Sequence, residues 1–240
     1  MWSLCKKELA QFFSSLSGYI AVAVFLLVNG LVLFVFEDNI LDFGYATLDR
    51  FFELSPWILL LLIPAITMRS FAEEFKTGTY EVLSTQPLTR WQIIAGKYLG
   101  ALLVVLIALL PTLLYVITVD SLAADAGMDK GALVGSYIGL VFLVAVFTAI
   151  GIWCSSLSSN TVVAFLSALL ASALFYYGFH ALAQMPVFTA GMDYRLEWLG
   201  IDFHYRSISR GLIEFRDLIY FISLLLFFYF LTARNLKSRS

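Results

Sequence analysis

The sequence is poor in the groups that catalysis needs. Its two histidines, His180 and His204, stand alone, and its two cysteines, Cys5 and Cys154, lie far apart in the chain. No His-Glu-x-x-His, no Gly-x-Ser-x-Gly and no clustered Cys/His spacing occurs, so neither a catalytic group nor a metal site is expected. The segment IIAGKYLG, residues 93–100, contains a Gly-Lys pair of the kind that opens a phosphate-binding loop. That loop needs Gly at position 91 and Ser or Thr at 98, and Trp91 and Tyr98 stand there. Lys97 is read instead as a boundary lysine that runs its stem along apolar surface and puts its charge in water. The remaining dense patch is RSFAEEFKTGTYEVL, Arg69 to Leu83. At helical spacing Phe71, Phe75 and Val82 share one side, and Glu73, Glu74, Lys76 and Glu81 lie elsewhere. Such a segment can hold a surface; it has nothing with which to break a bond. Spacing alone leaves open a solvated face or a docking surface for a cytosolic protein.

The elements that carry this patch follow from composition. The chain is 61% hydrophobic and 13% charged, with a mean hydropathy of +0.89, against about 25% charged residues in soluble domains. That excludes a water-soluble fold and predicts an all-α integral membrane protein. A bilayer core of about 30 Å needs roughly 20 helical residues. Six segments qualify as spans: 18–36, 55–68, 98–119, 131–154, 161–185 and 218–233. Pro64 and Pro111 each remove a backbone donor and predict kinks in the second and third spans.

Charge sets the expected orientation. With both termini cytoplasmic, the inner side holds Lys6, Lys7, Arg69, Lys76, Arg90, Lys97, Arg234, Lys237 and Arg239. Its acids are few: Glu8, Glu73, Glu74 and Glu81. The outer segments are dominated by acids, among them Glu37, Asp38, Asp42, Asp49, Glu53 and Asp125. Lys and Arg favour the cytoplasmic side. The long inner connection is then 69–97, and the largest outer one is 186–217. Residues 1–17 alternate Trp2, Cys5, Leu9, Phe12 and Phe13 with Ser3, Lys6, Lys7 and Gln11 at helical period, which predicts an amphipathic helix lying on the membrane surface. Within 69–97, Ser70-x-x-Glu73 and Thr89-x-x-Gln92 are capping-box patterns, and Leu88 and Ile93 are placed as a hydrophobic staple.

Inside the spans, Asn29 is the polar residue of interest, either as interhelical glue or as the lining of a path; Thr112 and Thr148 are similar. Gly131, Gly135 and Gly139 form a small-residue ridge for close helix packing. On the outer side, Arg206, Arg210 and Glu214 recur every four residues, with Ile208, Leu212 and Phe215 on one face and Arg216-Asp217 entering the last span. This predicts a short helix that turns into span six.

Taken in order, KELAQFFSSLSGYI, PAITMRSFAEEFKTGTYEVLSTQPLTRWQIIAGKYLG, SSLSSN and HYRSISRGLIEFRDLIYF resemble the ABC-2 family of ABC-transporter permeases over essentially the whole chain. The combination is most similar to the gliding-motility permeases of Bacteroidota, the F subunit of the Gld system. The resemblance implies one six-helix ABC-2 transmembrane domain over 1–240. It would have an amphipathic connecting helix, a cytoplasmic coupling helix between spans two and three, and an outer re-entrant helical segment. It implies a coupling region of Phe71, Glu73, Glu74, Phe75, Gly78, Thr79 and Glu81, and an outer signature of Arg206, Gly211 and Asp217, beside Arg210. No cofactor is expected on this chain; ATP and Mg belong to a partner ABC ATPase. The other implied partners are a second permease half, an accessory membrane subunit with a large periplasmic portion, and the lipid bilayer, with no nucleic acid. The place is a bacterial inner membrane. The alternative is a force-transmitting or scaffold subunit that passes no solute.

Overall fold

The computed structural model describes residues 1–36, 39–40, 47–123, 128–185, 191–212 and 214–238. Glu37, Asp38, Asp42, Asp125 and Arg239 of the charge argument, and the start of the 186–217 segment, lie outside the described residues. The described residues are almost entirely helical, and no strand occurs among them. Among the described residues, five helices are long and apolar enough to cross a membrane, and the count is six when a bent pair at the N-terminus is taken as one span.

That pair is α1 (Trp2–Phe13) and α2 (Leu16–Phe34), set at 72° to each other. Ser15 makes the corner, its hydroxyl accepting the Gly18 amide and capping α2. α3 (Asp49–Thr67) starts well before the expected span at 55–68. It runs on through α4 (Ala72–Thr77) as a 29-residue rod. α5 (Thr79–Ser84) follows, and then α6 (Arg90–Leu109). The Thr89/Gln92 capping box is formed in both directions, at 3.3 and 2.9 Å. Pro111 deprives the Ile107 carbonyl of its usual donor, and the Leu110 amide takes it up, tightening one turn to a 3-10 helix. α7 (Leu113–Leu122) completes that rod. α8 (Lys130–Leu157) is capped by Asp129, and α9 (Thr161–Ala173) by Asn160. A π-helical turn, Leu174–Gly178, links α9 to α10 (Phe179–Ala183). α11 (Met192–Glu197) and α12 (Ile201–Ser209) cross the far end of the bundle, and α13 (Phe215–Ser238) returns to the end that holds the N-terminus.

α8 is the central post, packed by α3, α6, α9, α12 and α13. Its Leu143, Val144, Phe147 and Ile150 are fully buried, together with Ile63 and Phe221. Glycines bring its neighbours close. A Cβ on Gly135 would lie 2.8 Å from the Gly211 Cα, one on Gly139 would lie 3.0 Å from Ile208, and one on Gly151 would overlap Thr67. Gly131 sits at the helix start against Asp129.

Three local expectations need correction. The Ser70/Glu73 capping box does not form; no side chain of the segment caps α4. Val82 does not share the buried side with Phe71; it is 65% exposed, while Tyr80 and Leu83 point inward. The helical period breaks at Gly78, whose φ of 71° is left-handed and resets the phase. The same fault affects the outer run. α12 ends at Ser209 and Gly211 turns left-handed at φ 82°, so Ile208 is buried while Leu212 and Phe215 are exposed. Arg206 accordingly pairs with Asp202, and Arg216 takes Glu214.

Candidate functional site

The residues with the most to do are gathered at the bundle end that carries both termini. α1 lies across the start of α6. It can do so because Gly96 and Gly100 give it a smooth track: Cβ atoms there would come within 2.9 Å of Leu4 and 2.6 Å of Glu8. This ridge, inside IIAGKYLG, is a second small-residue track besides the one on α8.

Between the two glycines stands Lys97. It is not a lysine that reaches out to water, because none of it is exposed. Its ammonium lies 2.9 Å from Glu8 and 2.8 Å from Glu74, and it also donates to the Ser70 carbonyl. It donates hydrogen bonds to Glu8 and the Ser70 carbonyl and pairs by charge with Glu74. The Phe71 ring lies beneath the charge, 5.0 Å away at its centroid. Lys7 approaches Glu74 at 3.3 Å from the solvent side. Two carboxylates and two ammonium groups therefore balance. One buried cation joins α1, the end of α3, α4 and α6. Its desolvation is costly, and the two carboxylates offset that cost only while the parts remain together. Burial pushes the Cys5 thiol up, and Glu8 adds to the shift, so Cys5 is a packed thiol rather than a nucleophile.

A second clamp explains how α4 starts without a cap of its own. The Ser155 hydroxyl, on α8, accepts from the amides of Phe71 (3.0 Å) and Ala72 (3.2 Å) and donates to the Met68 carbonyl (3.1 Å). The capping oxygen comes from another helix, so no local pattern could have revealed it. Asn235 on α13 donates to Ser156 next door, which ties the last helix to the same corner. Beneath, Phe71, Tyr80, Leu83, Ile93, Ile94 and Leu236 form a separate apolar cluster under the segment. Burial pushes the Tyr80 phenol up, partly countered by Arg90, so it stays a neutral ring packed on Phe75.

The expected coupling residues thus divide. Phe71 and Glu74 are buried and turned inward; Glu73 and Phe75 are half-buried; Gly78, Thr79 and Glu81 are exposed at the tip, with Lys76 and Val82. Trp91 is also exposed, stacked on Tyr229. Asn29 is fully buried between α2 and α3, donating to the Phe25 carbonyl at 2.8 Å and accepting from Ser55 at 3.2 Å. Thr112 bonds the Leu109 carbonyl and Tyr137, while the buried Thr148 hydroxyl has no partner among the described residues.

At the far end neither histidine is solitary. His180 meets Glu197 at 3.0 Å. His204 and Asp217 are both fully buried and 2.7 Å apart, and the other ring nitrogen of His204 faces the Trp198 carbonyl at 2.9 Å. A carbonyl only accepts, so that nitrogen carries hydrogen, and the pair shares one further proton. Tyr220 stacks on the ring at 3.9 Å. Asp217 of the outer signature thus pins α12 to α13, and Gly211 is where α12 touches α8 through backbone. Arg206 holds Asp202, and Arg210 makes no ion pair among the described residues. No group of three or more potential metal ligands occurs among the described residues.

Residues 48–232 match the family described as "ABC-2 family transporter protein". No curated protein matches the chain. The matched region runs from α3 into α13 and so contains Lys97, Glu74, Ser155 and the far-end helices; α1 and Glu8 precede it.

Proposed function

The chain belongs to the ABC-2 family of transporter proteins, and we propose that it is the permease subunit through which a separate ABC ATPase drives transport. The family implies an ABC ATPase partner and a lipid bilayer. The finer reading places the docking surface at the exposed tip of 76–82, where Lys76, Thr79, Glu81 and Val82 face outward. One observation carries it: α4 is a continuation of α3 rather than a loop, a rod of 29 residues from Asp49 to Thr77. A push on the tip therefore reaches a membrane helix directly. Ser155 passes it to α8, and Lys97 passes it to α6 and α1. Gly78 is the joint that lets the tip swivel on the rod.

On this reading both termini face the cytoplasm of a bacterial inner membrane. Two copies pair, and ATP and Mg are held by the ATPase, so this chain is not itself an enzyme. The resemblance to gliding-motility permeases adds an accessory subunit with a large periplasmic portion. The test of docking is capture of the co-expressed ATPase by tagged protein in mild detergent. Glu81→Lys with Val82→Asp should abolish capture, and stoichiometric capture by that variant would reject the tip as the docking surface. The gliding role is tested separately, by replacing the permease of a gliding strain with this chain; a folded, ATPase-bound chain that leaves cells non-motile would remove that role.

A further inference from the structure

At the far end, α3 and α12 face each other across a cavity of about 670 Å³. Asp49, Glu53 and Trp57 are spaced four apart on α3 and form one stripe on its wall. Asp202, Arg206 and Arg210 have the same spacing on the opposite wall. The Tyr205 hydroxyl bonds the Phe52 carbonyl at 2.8 Å and fixes the distance between the walls. Burial pushes the Tyr205 phenol well above its ordinary range, so it remains a donor there.

The charges in this cavity are not all spent. Arg206 and Asp202 make two bonds of 2.9 Å, fork to fork, with Asp202 almost wholly buried. That pair cancels. Asp49 and Glu53 on one wall and Arg210 on the other make no ion pair among the described residues. The unspent charge is two carboxylates against one guanidinium. The floor is aromatic and specially made. The π-turn Leu174–Gly178 sets two consecutive residues, Tyr176 and Tyr177, against the same Trp57 indole, at 5.6 and 5.3 Å. A regular helix points neighbours about 100° apart, and such turns recur at functional sites.

We propose that this cavity binds a zwitterion, with its ammonium between Asp49 and Glu53 over the Trp57 ring and its phosphate or carboxylate on Arg210. Carboxylates beside an indole face suit an ammonium. A guanidinium across the gap suits a planar or tetrahedral anion. A cation alone leaves Arg210 unanswered, and an anion alone meets two carboxylates. The same chemistry is available from a soluble zwitterion and from an ethanolamine phospholipid headgroup at the membrane surface. The inference stands on the cavity alone and does not require the docking surface at the opposite end.

The test uses the full-length protein in phosphatidylglycerol nanodiscs. Soluble phosphoethanolamine is titrated by calorimetry, and in parallel phosphatidylethanolamine is doped into the discs and retained lipid is read by native mass spectrometry. Binding of the soluble probe assigns a soluble ligand; retention of the lipid alone assigns a headgroup; either supports the site. Glu53→Gln and Arg210→Gln should each weaken it about tenfold, and Arg210→Lys should restore most of the loss. Both side chains are exposed, so circular dichroism should show an unchanged fold. Binding of neither probe, equal binding of inorganic phosphate or of ethanolamine alone, or binding unmoved by both Gln variants overturns the proposal.

Discussion

The two ends of the bundle handle charge in opposite ways. At the end with the termini, Lys97, Glu8 and Glu74 are withdrawn from water and used on one another. At the far end, Asp49, Glu53 and Arg210 remain in an open cavity. The difference separates two tasks. Charges paired inside join helices at a corner, even though Glu74 keeps one buried carboxylate oxygen without a partner among the described residues. Charges left unmatched keep the ability to meet something else. The far end does have a matched pair, His204 with Asp217, and it too is buried and joins two helices.

The contrast can be broken by mutation, beginning with the largest effect. Lys97→Met removes the cation from between two carboxylates and should cost about 3–5 kcal/mol, read as a lower unfolding temperature in detergent. Adding Glu8→Gln and Glu74→Gln to Lys97→Met should recover most of that loss. An unchanged single variant would mean the node carries no load. Asp217→Asn keeps a hydrogen-bond partner for His204 but removes the carboxyl group that shares the proton, and about 1.5–3 kcal/mol should go with it. Ser155→Ala leaves the Phe71 and Ala72 amides without a partner, at about 1–2 kcal/mol. On the proposed coupling, stimulation of the captured ATPase should also fall, read in detergent at a temperature where the variant is folded. Arg210→Gln should leave the unfolding temperature where it is, because no partner depends on Arg210; a clear drop would show that the far-end charges serve folding after all.

Much of this was legible in the sequence. Apolar length gave the helices, and Thr89, Asp129 and Asn160 sat where caps belong. Spacing also placed Phe71 on the inward side of its segment and Glu81 on the outward side, as found. What failed has two physical causes. Gly78 and Gly211 each turn the chain left-handed, and a period of 3.6 residues extended across such a turn assigns the wrong face, as Val82 and Leu212 show. The second cause is distance along the chain. Lys97 looked like a boundary lysine because its partners are 89 and 23 residues away, and Ser155 caps a helix 83 residues before it. The Gly96 and Gly100 track was open to detection, since two glycines four apart beside an amphipathic helix are a packing signal.

The three bonds of Ser155 all end on one short piece of backbone, Met68 to Ala72, and one turn earlier Gly151 lies flush against Thr67. Two rods fastened in this way behave as one body rather than as neighbours. Sliding or rolling one past the other would strand an amide, and prising them apart would open a gap. On the proposed reading, a push on the lever therefore carries α3 and α8 together.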